Sequence, residues 1–102
     1  VFGFSRDDVA TFLPAYLHAG VLREDPFRAL DLEGVGVLID QAIGLARAAN
    51  PDIVLGLCGE QGGDPGSIAW LHTRGIDYVS VAPMRVAATR VAAARAAVGC
   101  PA

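Results

Sequence analysis

No lysine occurs anywhere in the 102 residues; the eight basic side chains are all arginine, outnumbered by eleven carboxylates. A net charge of −3 and a pI near 5.1 leave no basic stripe to track a phosphate backbone, which excludes a nucleic-acid partner. Long apolar runs are missing as well. None approaches the roughly 18 residues of a membrane span, so a membrane role is excluded too. Cysteine is scarce: Cys58 and Cys100 are too few for a disulfide framework, which points to a reducing, cytoplasmic setting. Charged residues reach only 19% against 53% hydrophobic, a balance that argues against disorder and for one domain or part of one. The opening "VFGFS" has neither an initiator methionine nor a charged-then-apolar leader, and reads as an excerpt from something longer.

What is present has an alternating order. Ser5 and Asp8 stand at capping-box spacing before "DVATFLPAYLHAG", whose apolar residues predict a helix kinked or split by Pro14. Val35, Leu38, Ile39, Ala42, Ala46 and Ala49 form a helical stripe that Asn50-Pro51 stops. Residues 52–58 are apolar on both sides, the pattern of a parallel strand covered on both faces. Asp64 offers an N-cap and Pro65 a first helical position for "GSIAWLHTR", which Gly75 closes. "IDYVSVAP" predicts a second strand, and "MRVAATRVAAARAAV" a last helix, with Cys100 in the tail beyond it. Helix, strand, helix, strand, helix predicts an α/β class with parallel strands and a right-handed crossover. Two parallel strands lack neighbours on their hydrogen-bonding edges. A closed (β/α)8 barrel with its other strands upstream is the economical completion, making residues 1–102 an incomplete barrel domain whose chemistry belongs at the C-terminal strand ends.

Cys58 stands at such an end, where "DIVLGLC" breaks into "GEQGGDPGS". Val54, Gly56 and Cys58 share one strand face and Ile53, Leu55 and Leu57 the other, so the thiol should point to the barrel mouth while the aliphatic face meets helices. A free cysteine is also an ordinary small hydrophobe, and burial in packing is the competing reading. If the thiol is chemical, Leu57 and Glu60 beside it oppose a thiolate, and His72 is most of a helix away; a protonated thiol suits a general acid better than a nucleophile. The glycine loop matches neither G-x-G-x-x-G nor a P-loop, and Asp64 puts a negative cap where a phosphate would sit, so turn geometry is its reading. Arg6, in the first turn of the first predicted helix, opposes the macrodipole; it is either a ligand contact or a solvated partner of Asp7 or Asp8. Trp70 and Leu71 look like core, and His18 and His72 like ordinary helix residues. Arg85, Arg90 and Arg95 step by five and form no single basic face. No spacing of carboxylates suggests a metal site.

"FGFSRDD", "DPF", "GVGVLI", "RAANP", "GLCGEQGGDP", "GIDYVSVAP" and "RVAAARAAV", in this order, resemble the C-terminal end of the pyruvate, phosphate dikinase family, over about residues 1 to 98. The resemblance implies the phosphoenolpyruvate/pyruvate-binding barrel of an enzyme that interconverts ATP, phosphate and pyruvate with AMP, diphosphate and phosphoenolpyruvate. It implies that Cys58 protonates the enolpyruvate carbon and that Arg6 contacts the substrate phosphate, as in the enzyme I branch. It further implies Mg2+ held by residues upstream of Val1, a phosphohistidine on a swivelling domain of the same enzyme, and a homodimer. Gln61 stands in place of a common histidine, Val81 of a frequent cysteine, and Ala87 of a frequent proline. The alternatives are the equivalent segment of phosphoenolpyruvate synthase and a non-catalytic α/β piece serving only in domain or subunit contact.

Overall fold

Pro14 sets the first break in the chain. The computed structural model describes residues 3–99, and there Pro14 lies in the opening turn of helix α1 (Leu13–His18), preceded by a separate 3₁₀ turn at Val9–Thr11. Lacking an N–H, proline can start a helix but cannot continue one, so the predicted helix is split. The expected capping box does not form: the Ser5 hydroxyl accepts from the Asp7 N–H at 3.3 Å, and the Asp8 side chain makes no cap bond. Arg6 therefore sits in a turn ahead of the helical segments and not in a first helical turn, so its charge opposes no macrodipole there. Phe4 packs edge-on against Phe12, with ring centroids 4.9 Å apart, and pins the two ends of this segment together.

Helix α2 (Val35–Ala49) forms as expected and stops at extended Asn50. Its covered face differs from the predicted stripe. Val35, Ile39 and Ala46 are half-buried along with Ile43 and Arg47, whereas Leu38, Ala42 and Ala49 are exposed. Two residues outside the stripe turn the helix. Gly36 has no side chain to hold Trp70 away, and the Arg47 guanidinium donates to the carbonyls of Arg74 and Gly75, closing the end of the next helix.

Strand β1 (Gly56–Cys58) and strand β2 (Tyr78–Ser80) pair in parallel, Gly56 opposite Tyr78 and Cys58 opposite Ser80. Both are shorter than predicted. At residue 55 the ladder changes partners: the Leu55 N–H donates to the Asp77 carboxylate at 2.8 Å, while the Asp77 N–H donates to the Leu55 carbonyl at 2.9 Å. The crossover is a 3₁₀ turn at Glu60–Gly63 followed by helix α3 (Pro65–Thr73). As expected, Asp64 caps α3, accepting from the Ser67 N–H at 2.7 Å, and Gly75 follows the helix with a φ of +66°. The chain closes with a 3₁₀ turn at Pro83–Arg85 and helix α4 (Val86–Ala97); Cys100 lies outside the described residues.

The class is thus α/β with two parallel strands and flanking helices. The core is small: Val9, Leu13, Ile68, Leu71 and Ala92, with Ser67 and Thr89 buried among them. Leu71 is core as expected; Trp70 is only half-buried, its ring covered by the Arg74 guanidinium 4.1 Å from the centroid. Large apolar side chains remain in solvent, Leu45 at 74% and Val54 at 68% exposure among them.

Asp64→Ala should destabilise the protein by about 1–2 kcal/mol in urea melts, the usual cost of losing an N-cap, while Asp64→Asn should retain most of the stability. The isolated 102-residue polypeptide should self-associate through its exposed apolar surface, which sizing chromatography against concentration will detect.

Candidate active site

Cys58 is the last residue of β1. Along the segment leading to it, Ile53, Leu55 and Leu57 are half-buried while Val54, Gly56 and Cys58 are exposed, the alternation of a strand with one covered face. The thiol therefore leaves the sheet opposite the aliphatic face, free and in solvent, and not packed as a small hydrophobe. Below it, the Tyr78 ring lies across Gly56, where any side chain at 56 would collide with it. Glycine is required there for close approach of an aromatic ring.

The chain must then turn away from the sheet at once. Gly59 does this with φ +155° and ψ 167°, a region that residues with a Cβ rarely enter. A Cβ at 59 would also press on the Gln61 carboxamide oxygen. The Gln61 amide in turn donates to the Pro26 carbonyl at 2.8 Å, tying the loop after Cys58 to the "DPF" turn. The glycine loop is turn geometry, and Asp64 occupies the following helix start.

Because parallel strands end on the same side, the loop after β2 arrives beside the loop after β1. Cys58, Glu60, Ser80 and Arg85 line a shallow cleft of about 290 Å³. Its electrostatics centre on Glu60, whose Oε1 is 3.2 Å from a terminal nitrogen of Arg6 and whose Oε2 is 3.9 Å from Nε of Arg85. Arg6 thus pairs with neither Asp7 nor Asp8, and it reaches the Cys58 loop through Glu60. The structure brings the two sequence-predicted site residues, Cys58 and Arg6, to one end of the sheet. It also weakens one argument for the protonated thiol: the Glu60 charge is balanced by two guanidiniums and does not act on the sulfur alone.

Arg85 and Ser80 were missed in the sequence. Arg85 belongs to the turn before α4, not to the five-step series on the helix, and Ser80 pairs with Cys58 across the sheet. The signal was available in their positions at the end of "YVSVAPMR", since both parallel strands deliver their ends to the same side. His18 and His72 sit exposed in the last turns of α1 and α3. Among the described residues no group of three or more His, Cys, Asp and Glu side chains comes together to hold a metal ion. Nor is any described helix long and apolar enough to cross a membrane.

The exposed thiol of Cys58 and the arginines around Glu60 thus stand at the shared end of two parallel strands in an α/β fold. Residues 1–98 match the family described as PEP-utilising enzyme, PEP-binding domain, and the chain belongs to it. Over 97 residues, 95% of the chain, it is 53% identical to pyruvate, phosphate dikinase 1, chloroplastic, of Arabidopsis thaliana, and equally to the chloroplastic pyruvate, phosphate dikinase of Flaveria pringlei. Identity to pyruvate, phosphate dikinase 2 of Zea mays is 50% over 94 residues, 92% of the chain. The chain spans about a tenth of the length of these curated relatives, 10% of the first two and 11% of the third.

Gly59→Ala should cost about 1–3 kcal/mol of stability, the scale of one residue forced into a sparsely populated backbone region. A thermal melt with Gly66→Ala as the control will check this, because Gly66 lies in α3 and has no positive φ.

Proposed function

We propose that this chain is the C-terminal portion of a phosphoenolpyruvate/pyruvate-binding (β/α)8 barrel in a pyruvate, phosphate dikinase. In that reading the whole enzyme interconverts ATP, phosphate and pyruvate with AMP, diphosphate and phosphoenolpyruvate, and Cys58 is the acid that acts on carbon. The observation that carries it is the exposed Cys58 thiol at the C-terminal end of β1, in a cleft it shares with Glu60 and Arg85, with Arg6 paired to that same Glu60. The identity of 53% to a dikinase favours it over the phosphoenolpyruvate synthase alternative.

In the direction that consumes phosphoenolpyruvate, the phosphoryl group passes to a histidine on a swivelling domain of the same enzyme, leaving the enolate of pyruvate. The enolate's electron pair then takes the proton of the Cys58 thiol: the S–H bond breaks, a C–H bond forms at C3, and pyruvate leaves a thiolate that solvent reprotonates. In the other direction the thiolate removes a methyl proton. Cys58 suits this step because its thiol is exposed enough to meet the substrate carbon, and a thiol is among the groups that serve as general acid and base. Arg6 binds the substrate phosphate, for which a guanidinium supplies charge and paired donors.

The magnesium that the dikinase reading implies does not fit the described residues, which bring no such ligand cluster together. It would be held elsewhere in the enzyme. The homodimer belongs to the same reading, and the exposed Val37, Leu38 and Leu45 on α2 favour a contact role alongside the catalytic one. The cytoplasm is the compartment proposed from the scarcity of cysteine; several relatives are named chloroplastic, and either location would keep Cys58 reduced.

In the complete enzyme, Cys58→Ala should slow pyruvate formation by at least about a hundredfold, the ordinary contribution of a positioned general acid. Exchange of the pyruvate methyl protons with deuterium, followed by NMR, should fall with it. Phosphoryl transfer between nucleotide and the swivelling histidine should persist. Loss of both half-reactions together would assign Cys58 a folding role and overturn the reading.

A further inference from the structure

The Glu60 carboxylate sits where a substrate phosphate would have to bind. Its Oε1 is 3.2 Å from Arg6, whose side chain is 69% exposed, so the guanidinium proposed for the phosphate is already engaged by an internal anion. A phosphate arriving at Arg6 meets a like charge, and the two cannot share the same donors without mutual repulsion. An exposed ion pair is weak and exchangeable, so Glu60 can be displaced, provided its charge does not lose all compensation. Arg85 stands on the other side of the same carboxylate, with Nε 3.9 Å from Oε2, a distance at which the pair is loose and can tighten.

Arg85 lies along the loop that follows Cys58. Its Cδ and a terminal nitrogen lie against Gly63, so close that a Cβ at 63 would be 2.8 Å from each. The stem thus runs along the backbone at Gly63, with the guanidinium toward Glu60. Helix stability does not account for it there: Arg85 is the N-cap of α4, makes no side-chain cap bond, and brings positive charge to the positive end of the helix.

We infer that Arg85 is a positioning residue that receives the Glu60 carboxylate when substrate phosphate takes Arg6, so that Glu60 acts as a built-in competitor for the phosphate site and Arg85 sets how strongly it competes. The inference rests on the proposed role of Arg6. With Arg85 present, Glu60 exchanges one guanidinium for another and the phosphate gains Arg6 at little cost. Without Arg85, Glu60 has Arg6 as its one partner of the two and holds it against the substrate.

The test is a set of variants in the complete enzyme, with phosphoenolpyruvate as the varied substrate. Arg85→Met, which keeps the stem and removes the charge, should raise KM for phosphoenolpyruvate roughly two- to fivefold, the size of one exposed ion pair, with the change in KM exceeding that in kcat. Glu60→Gln added to Arg85→Met should bring KM back toward the parent value, because the competitor is gone. Arg85→Lys, retaining the charge, should fall between the two. In an Arg6→Met background, where KM is already raised, Arg85→Met should add nothing. A merely structural Arg85 would lower stability and kcat and would not be rescued by Glu60→Gln; additive effects in place of rescue therefore overturn the inference while leaving the function intact. If Arg6→Met itself leaves KM unchanged, the proposed phosphate contact fails, and the inference falls with it.

Discussion

One carboxylate ties the crossover to the rest of the chain. Asp64 accepts from both the N–H and the hydroxyl of Ser67 at 2.7 Å, and the Ser67 oxygen accepts from the Leu30 N–H at 3.0 Å. Ser67 is 3% exposed at the centre of this relay, so losing its partners would leave a buried hydroxyl unpaired. It fixes where α3 begins. The start of α3 in turn limits the chain between Cys58 and Asp64 to a single 3₁₀ turn, and that length makes the Gly59 conformation obligatory and sets Glu60 facing Arg6 and Arg85. The relay also draws the segment around Leu30 onto the helix, beside the Pro26 carbonyl that holds Gln61. A capping interaction worth about a kilocalorie on its own thus determines the shape of the loop that carries the thiol.

Charge around that loop is arranged as alternation, not as a patch. Two arginines flank one glutamate next to the Cys58 thiol and a serine hydroxyl, so these three charged side chains sum to one positive charge. Carboxylates outside this trio, among them Asp40 on Arg74 and Glu33 on Arg23, make up the overall charge of −3.

The elements were legible where a local rule acts alone. Asp64-Pro65 and Gly75 bound α3, Asn50-Pro51 ends α2, and the apolar alternation of 53–58 gives the side on which Cys58 emerges. Local rules failed where a distant partner decided the outcome. The covered face of α2 is turned by Trp70 against Gly36 and by Arg47 on the end of α3, contacts that no period in residues 35–49 encodes. The strands are cut short by Asp77, whose side chain replaces a backbone partner for Leu55. Ser5 bonds the nearer Asp7 N–H in place of the capping box. Within the site, Cys58 could be found because a strand end is visible in sequence; the place of Arg85 just after the second strand was visible too, but its pairing with Glu60, 25 residues away, exists only through the parallel register.

The exposure of Cys58 itself constrains how the proposed chemistry works. An enolate in open water takes protons from solvent without control, and an enzyme that directs the proton must exclude water around the donor. Here the face that carries the thiol is open: Val54 below it is 68% exposed, and the Tyr78 ring across Gly56 is 56% exposed. These are apolar surfaces of the kind a protein covers, and they lie on the sheet face opposite the aliphatic layer of Ile53, Leu55 and Leu57. A set of further strands closing on β1 and β2 would bury Val54 and Tyr78 as the floor of a pocket and leave Cys58, Ser80 and the Arg6–Glu60–Arg85 cluster at its rim. The same closure would supply the water exclusion the acid needs and remove the apolar exposure that the two-stranded sheet leaves, so that in the proposed barrel one packing event serves both folding and catalysis.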